Sequence, residues 1–286
     1  MGQGLLAKSP TSQRFYDEAR EILGFDLLQL CIDGPADQLN RTEFSQPALF
    51  VHSLAALDCL TQQRPDLWNS VQSVAGLSLG EFTAITAAGG LAFADGLRLV
   101  QTRGLAMQAA ADQVKSGMSS IIGMDAEKLR EVCLAATSGT EFVEVANLLC
   151  PGNIAISGHV VAIERAETAA MAAGAMKAVR LAVAGAFHTA LMQPAVGRLS
   201  EALAQAQFLS TRVPVYSNVD ALPHTDPEEL RGLLARQIVT PVLWEDTLRN
   251  LMADGHNAFL EIGAGKVLAG TLKRVDRKVA CESFGD

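Results

Sequence analysis

The sequence predicts an α/β protein in which a large domain of strands and helices is interrupted by a small ferredoxin-like unit. Three observations carry this. Apolar residues up to Ala75 lead through the glycine-flanked turn Gly76–Gly80 into a helix-like run. From Gly117 the rhythm becomes β-α-β-β-α-β, the split order of a ferredoxin-like unit. Strand signals then return in "VPVYSNV" and "AFLEIG", as further strands of the large domain.

Each element has a local reason. Ser12 to Leu23 alternates apolar and polar residues at helical spacing and stops at Gly24. Pro47 to Leu60 forms a second helix, with Pro47 near its first turn. Trp68 to Ala75 fits a strand. Leu79 to Ala88 is helical and ends at Gly89-Gly90, and Asp95 is placed to cap the next helix, which runs to about Ala111. In the small unit, "GMSSIIGM", "EFVEVAN", "NIAISG" and "AMKAVRLAV" are strands. Ala126–Thr137 and Val160–Ala173 are helices, and Pro151-Gly152 makes a turn.

Composition excludes several function classes. The net charge of −8 with no long basic run argues against nucleic acid, and aromatics at 5% leave little for base stacking. The five cysteines are scattered without a CxxC pair, so neither a zinc site nor a disulfide framework is expected. They fit free thiols in a reducing compartment. No apolar run reaches the ~18 residues that span a bilayer, and no signal pattern opens the chain. A cytoplasmic location is the expectation. "IGAGKVLAG" (Ile262–Gly270) fails as a phosphate loop, because Leu260 stands at the first glycine position and Val267 follows the lysine.

"GLSLG" (Gly76–Gly80) has the G-x-S-x-G form of a nucleophile elbow, in which glycines leave room for a sharp strand-to-helix turn that exposes Ser78. The N–H of Leu79 would then point at a developing oxyanion. The same five residues also fit a plain turn. A serine nucleophile needs a base. Of His52, His159, His188, His224 and His256, only His188 lies where the small unit rejoins the large domain, at an expected crevice. Arg103 falls on the helix face formed by Gly96, Leu99, Val100, Met107 and Ala110, opposite Arg98, Gln101, Thr102, Gln108 and Asp112. A guanidinium on an apolar face needs an anion. Either a protein carboxylate or a substrate carboxylate satisfies it.

Several longer segments together carry a family resemblance: "LGFDLLQLCIDGPADQLNRTEFSQPAL" (Leu23–Leu49), "GLSLGE", "TRGLAMQ" (Thr102–Gln108), "GAFHTALMQPA" (Gly185–Ala195), "RQIVTPVLW" (Arg236–Trp244) and "EIGAGKVL" (Glu261–Leu268). Over nearly its whole length the chain resembles the malonyl-CoA:acyl carrier protein transacylases. The resemblance implies an α/β-hydrolase-like large domain, residues 1–115 and 185–286, with a ferredoxin-like subdomain at 116–184. It implies that Ser78 carries the acyl group as an ester, that His188 is its base, and that the backbone carbonyl of Gln237 orients the histidine. It implies that Arg103 pairs with the malonyl carboxylate, that Met107 lines the same pocket, and that Phe187 crowds an α-methyl group. The partners implied are malonyl-CoA and acyl carrier protein in fatty-acid biosynthesis, with no cofactor, no metal, no nucleic acid and no membrane. The reaction implied is ping-pong, from thioester to seryl ester to thioester.

Three departures stand out. Leu77 replaces the histidine usual before the serine. Leu149, two before Pro151, stands where many relatives have asparagine. The family's opening "FPGQGxQ" loop supplies a second oxyanion donor, but "MGQGLL" aligns with a later segment, so Gln3 is not that glutamine. The expectation is that the first strand and this donor are missing and activity is impaired, since one such donor is typically worth ~10²–10³ in rate. Two rivals follow. A serine esterase would need an acidic third member between Ser78 and His188, where Asp95, Asp112 and Asp125 lie in no credible position. A carrier-protein-binding homologue with a decayed site is the other. Lys273, Arg274, Arg277 and Lys278 form a basic cluster that an acidic carrier protein could use.

Overall fold

The computed structural model describes residues 1–285. Six α-helices precede the first strand: α1 (Gln3–Lys8), α2 (Gln13–Leu23), α3 (Leu27–Asp33), α4 (Ala36–Leu39), α5 (Thr42–Gln63) and α6 (Pro65–Asn69). Gly24 ends α2 in a left-handed conformation with φ 80°, donating its N–H to Arg20 O. Helix α5 starts five residues earlier than the sequence predicts. Pro47 sits inside it, because proline removes only one ladder bond and packing on both sides holds the rest. Trp68 is not in a strand: Pro65 starts α6 instead, and Trp68 stacks under Arg212 at 4.3 Å. Only Val74–Ala75 remain as strand β1.

Helix α7 (Leu79–Ala87) follows β1 across the glycine turn, and α8 (Phe93–Ala111) follows α7. Asp95 does not cap α8. Ala92 occupies the N-cap, and Asp95 lies in the first turn with Arg98 at 3.2 Å. Helices α5 and α8 pack closely at Gly104, where a Cβ would stand 2.9 Å from Thr42 O. That close approach brings the start of α5 against the middle of α8.

The next stretch holds β2 (Ser116–Ile122), α9 (Ala126–Ala136), β3 (Val143–Cys150), β4 (Asn153–His159), α10 (Val160–Ala172) and β5 (Lys177–Arg180). The four strands make one antiparallel sheet in the order β3-β4-β2-β5. Helices α9 and α10 pack with it around Ile121, Leu129, Ile154, Ile156 and Ile163, a core separate from that of the rest.

The chain then returns through α11 (Gln193–Gln205), β6 (Val215–Tyr216), β7 (Pro223–His224), α12 (Pro227–Gln237), α13 (Trp244–Ala253), β8 (Ala258–Gly263), α14 (Val267–Val275) and β9 (Ala280–Gly285). Among the described residues the late strands divide between two sheets, and only β6 and β7 join β1. Strand β1 pairs parallel with β6, which pairs antiparallel with β7, while β8 and β9 form a parallel pair of their own. The main core gathers α5, α7, α8 and α11 around Phe50, Phe82, Ile85, Leu97, Val100 and Leu199. No described helix is long and apolar enough to cross a membrane.

Candidate active site

The turn between β1 and α7 puts Ser78 at φ 51°, ψ −102°, a conformation that side chains other than glycine rarely adopt. Gly76 makes this possible. A Cβ there would lie 2.0 Å from Gly80 O. Gly80 itself has open space around its Cβ position, so only the first glycine of the pair is sterically required, contrary to the reading of both as clearance. Leu79 is the first residue of α7, and an N–H at that position has no acceptor within the helix.

Ser78 Oγ is 2.8 Å from His188 Nε2. On the other side of the ring, His188 Nδ1 donates to Gln237 O at 2.9 Å. A carbonyl only accepts, so Nδ1 carries the proton and Nε2 offers its lone pair to the serine. The partner of Nδ1 is a main-chain carbonyl rather than a carboxylate. The three acids weighed for an esterase triad sit elsewhere: Asp95 pairs with Arg98, Asp112 accepts from Gln108, and Asp125 caps α9. Of the other histidines, His52 is buried against Tyr16 Oη, His159 bonds the backbone of Phe142, His224 bonds Asp220 and Glu229, and His256 lies in the turn after α13.

Arg103 is 1% exposed, on the buried face of α8 with Met107. Its Nη2 donates to Ser78 Oγ at 2.9 Å and to Gln237 Oε1 at 3.0 Å, and its Nη1 donates to Gln46 Oε1 at 2.7 Å. Gln46 turns its amide nitrogen to Met107 Sδ at 3.7 Å, linking the two α8 residues. The guanidinium also lies 5.5 Å from the Phe82 ring centre. Gln108, placed on the polar face by its spacing, is buried too, because α5 covers it and Thr42 N donates to it. Phe187 is half-buried between the main core and the apolar patch of Met118, Ala146 and Ala155 on the small sheet. Gln3 is exposed at the start of α1.

Three further residues complete the cluster and were not singled out by spacing. Asn218 accepts from Ser78 N and donates to Gly76 O at 2.8 Å, clamping both sides of the turn. Glu81 is fully buried and accepts from Gln237 Nε2 at 2.6 Å and from Asn218 N at 3.1 Å. Gln46 is the third. A glutamate inside the apolar run of α7 and a glutamine beside Pro47 are the available sequence signals, but neither has a readable partner in the chain order.

Burial pushes the His188 imidazole down to about 4, and the Arg103 cation pushes the same way. Its backbone hydrogen bonds to Gln237 and Thr240 oppose this. His188 is therefore neutral, the form that accepts a proton. Burial also lowers Arg103 to about 10, with the Glu81 charge opposing, so the guanidinium stays cationic near neutral pH. Burial raises Glu81, against its hydrogen bonds from Gln237 and Asn218 and the Arg103 charge. The assembly can take a proton from a serine hydroxyl and hold an anion beside the same oxygen.

Comparison with known proteins extends the picture. The acyl transferase domain family matches residues 1–282. A malonyl CoA-acyl carrier protein transacylase of Bacillus subtilis is 38% identical over a 288-residue alignment covering 100% of this chain and 89% of that protein. The Salmonella typhimurium protein of the same name is 40% identical over 271 residues, covering 95% and 86%. A solved malonyl CoA-acyl carrier protein transacylase from Coxiella burnetii superposes with a TM-score of 0.92 at 34% identity, covering 98% of this chain and 87% of that one. A malonyl-transacylase solved in complex with a type II polyketide acyl-carrier protein gives a TM-score of 0.95 at 35% identity, covering 100% and 91%.

Proposed function

Because the chain belongs to the acyl transferase domain family, we propose that it transfers the malonyl group of malonyl-CoA to the phosphopantetheine thiol of acyl carrier protein, supplying fatty-acid biosynthesis. The observation that carries the chemistry is the contact set around one oxygen: Ser78 Oγ meets both His188 Nε2 and Arg103 Nη2 within 2.9 Å.

Ser78 is the nucleophile in this reading. His188 takes the Oγ proton as Oγ bonds the thioester carbon. The carbon–sulfur bond breaks, and the His188 proton passes to the departing CoA sulfur. Malonate's acyl carbon now sits on Ser78 as an ester. The carrier thiol then gives its proton to His188, attacks the ester carbon, and Ser78 Oγ recovers the proton. One thioester is exchanged for another, so no redox partner or cofactor enters. Gln237 O holds the imidazole in the tautomer this needs, in place of the acid of a triad. The N–H of Leu79 faces the oxyanion.

Arg103 selects the dicarboxylic acyl group, with Met107 and Phe187 lining its surroundings. The Arg103 charge contributes to the low proton affinity of His188. A malonyl carboxylate on the guanidinium removes that contribution, so the base strengthens when the right substrate is bound.

The finer architecture belongs to the same reading: an α/β-hydrolase-like domain, residues 1–115 and 185–286, around a ferredoxin-like subdomain at 116–184. The separate core and the strand order β3-β4-β2-β5 support the insert. Five unpaired cysteines support a cytoplasmic setting.

Intact-protein mass spectrometry after malonyl-CoA tests the function. The expected result is one malonyl adduct, absent in Ser78→Ala, and removed on adding holo carrier protein. Retention of the adduct in Ser78→Ala, or a carrier protein that leaves it in place, sinks the assignment.

A further inference from the structure

Glu81 lies three residues past Ser78, on the buried side of α7, and the mechanism above gives it no task. A fully buried carboxyl group is costly unless it organises something. Its Oε2 takes two hydrogen bonds, and each leads to a different part of the site. The bond from Asn218 N leads to the turn, since the Asn218 side chain clamps Ser78 N and Gly76 O. The bond from Gln237 Nε2 leads to Arg103.

The second route has a directional logic. The Gln237 amide lies between Glu81 and Arg103, and its two ends are chemically opposite. Glu81 Oε2 already accepts from Asn218 N, so it presents an acceptor to the amide and faces its NH2 end. That turns Oε1 toward the guanidinium, which has donors and no acceptor. The reversed amide would set NH2 against the guanidinium and C=O against the carboxylate. The NH2 end is further held by Ser78 O at 2.9 Å. Arg103 depends on this hold. Its Nε has no hydrogen-bond partner among the described residues, and its remaining bonds run to Gln46, Gln237 and Ser78 Oγ. A substrate carboxylate competes for the Nη2 bond now made to the serine, which leaves the two glutamines to keep the fork in place.

We propose that Glu81 is a positioning residue for carboxylate recognition, fixing the Gln237 side-chain amide in the one orientation that aims the Arg103 guanidinium at Ser78. This rests on reading Arg103 as the partner of the malonyl carboxylate. It assigns Gln237 two separable tasks: its backbone carbonyl serves His188 and its side chain serves Arg103.

The test compares single-turnover acylation of Ser78 by malonyl-CoA and by acetyl-CoA, read by intact mass. Gln237→Met keeps the backbone carbonyl and is expected to lower the malonyl:acetyl rate ratio about tenfold. Glu81→Leu lowers the ratio by a similar factor, and the double variant falls no more than about twofold further, because both changes cut one chain of contacts. Glu81→Gln, whose side-chain oxygen can still accept both bonds, keeps the ratio within about threefold of the unaltered enzyme. An unchanged ratio in Glu81→Leu, with both rates falling together, overturns the proposal. So does multiplication of the two effects in the double variant, or a Glu81→Gln no better than Glu81→Leu. If Glu81→Leu does not fold, Gln237→Met decides alone, and an unchanged ratio there overturns the proposal. Arg103→Ala separates the two levels: an unchanged ratio in that variant refutes the reading of Arg103 itself. A collapsed ratio in Arg103→Ala with an intact one in Gln237→Met refutes only the role of Glu81.

Discussion

The proton affinity of His188 is set by burial and by a cation on the far side of Ser78, against two backbone hydrogen bonds. An ordinary imidazole titrates near 6.5 and would be mostly protonated at pH 5.5. With its value pushed down to about 4, His188 remains a base there. At malonyl-CoA concentrations well below saturation, where the free enzyme sets the profile, the rate of Ser78 acylation should therefore stay nearly flat from pH 8 to pH 5.5 and fall only as pH approaches 4. A stopped-flow pH profile with a midpoint near 6.5 would contradict this. Stability runs in the same direction. The unfolded chain takes up a proton as pH drops through about 6.5 while the folded imidazole does not, so His188 makes folding less favourable between about 6.5 and about 4. At this scale Ser78, His188 and Arg103 were legible in the sequence. A serine between glycines, a histidine at a junction and an arginine on an apolar face are each anomalies of local pattern. Glu81, Asn218 and Gln46 were not, because their roles lie in partners more than 50 residues away.

Among the elements, the β1–α7 turn is the most constrained. The chain reverses so tightly that the Cα hydrogen of Gly76 faces the carbonyl of Gly80. Gly76→Ala would force a carbon into a space 2.0 Å from that oxygen, and backbone on both sides leaves it nowhere to go. Overpacking of this kind costs about 1–3 kcal/mol, and the turn must open to relieve it. The expected outcome is a lower melting temperature together with loss of Ser78 acylation, measured by calorimetry and intact mass. Gly80→Ala, with open space at its Cβ position, should fold and acylate close to normally by the same measurements. Helices were largely readable because their spacing and stops are local, as with Gly24 after α2. Strand lengths were not. Trp68 belongs to α6 and β1 shrinks to two residues, since a strand exists only where a partner offers its ladder, here Val215–Tyr216.

At the scale of the whole molecule, the small sheet is tied to the rest through β3. Leu148 N donates to Val242 O at 2.9 Å and Val242 N donates to Ala146 O at 2.8 Å, while α13 and α14 both contact β3. Helix α14, with Lys266 just before it and the turn after it, exposes Lys266, Lys273, Arg274, Arg277 and Lys278 on a chain whose net charge is −8. A local positive field on an acidic protein attracts an acidic partner without drawing anions everywhere. Reversing Lys273 and Arg274 to glutamate should raise KM for the carrier protein several-fold and leave malonyl-CoA kinetics unchanged, with the difference shrinking at high salt. Equal effects on both substrates would show that the cluster is only a solvated face.

What the sequence determined by itself is whatever depends on near neighbours. That includes the strand–turn–helix around Ser78, the β-α-β-β-α-β order of the insert, and the helix face that carries Arg103 and Met107 into the interior. Tertiary structure alone decided how the charge on that face is satisfied. Arg103 meets neither a direct protein acid nor bulk solvent: two glutamine oxygens and the serine take its hydrogen bonds, and Glu81 stands one amide further back. The physical reason is that a buried charge is balanced by whatever the fold brings within hydrogen-bond reach, and α5, α7, α8 and α12 meet only when the chain has closed on itself.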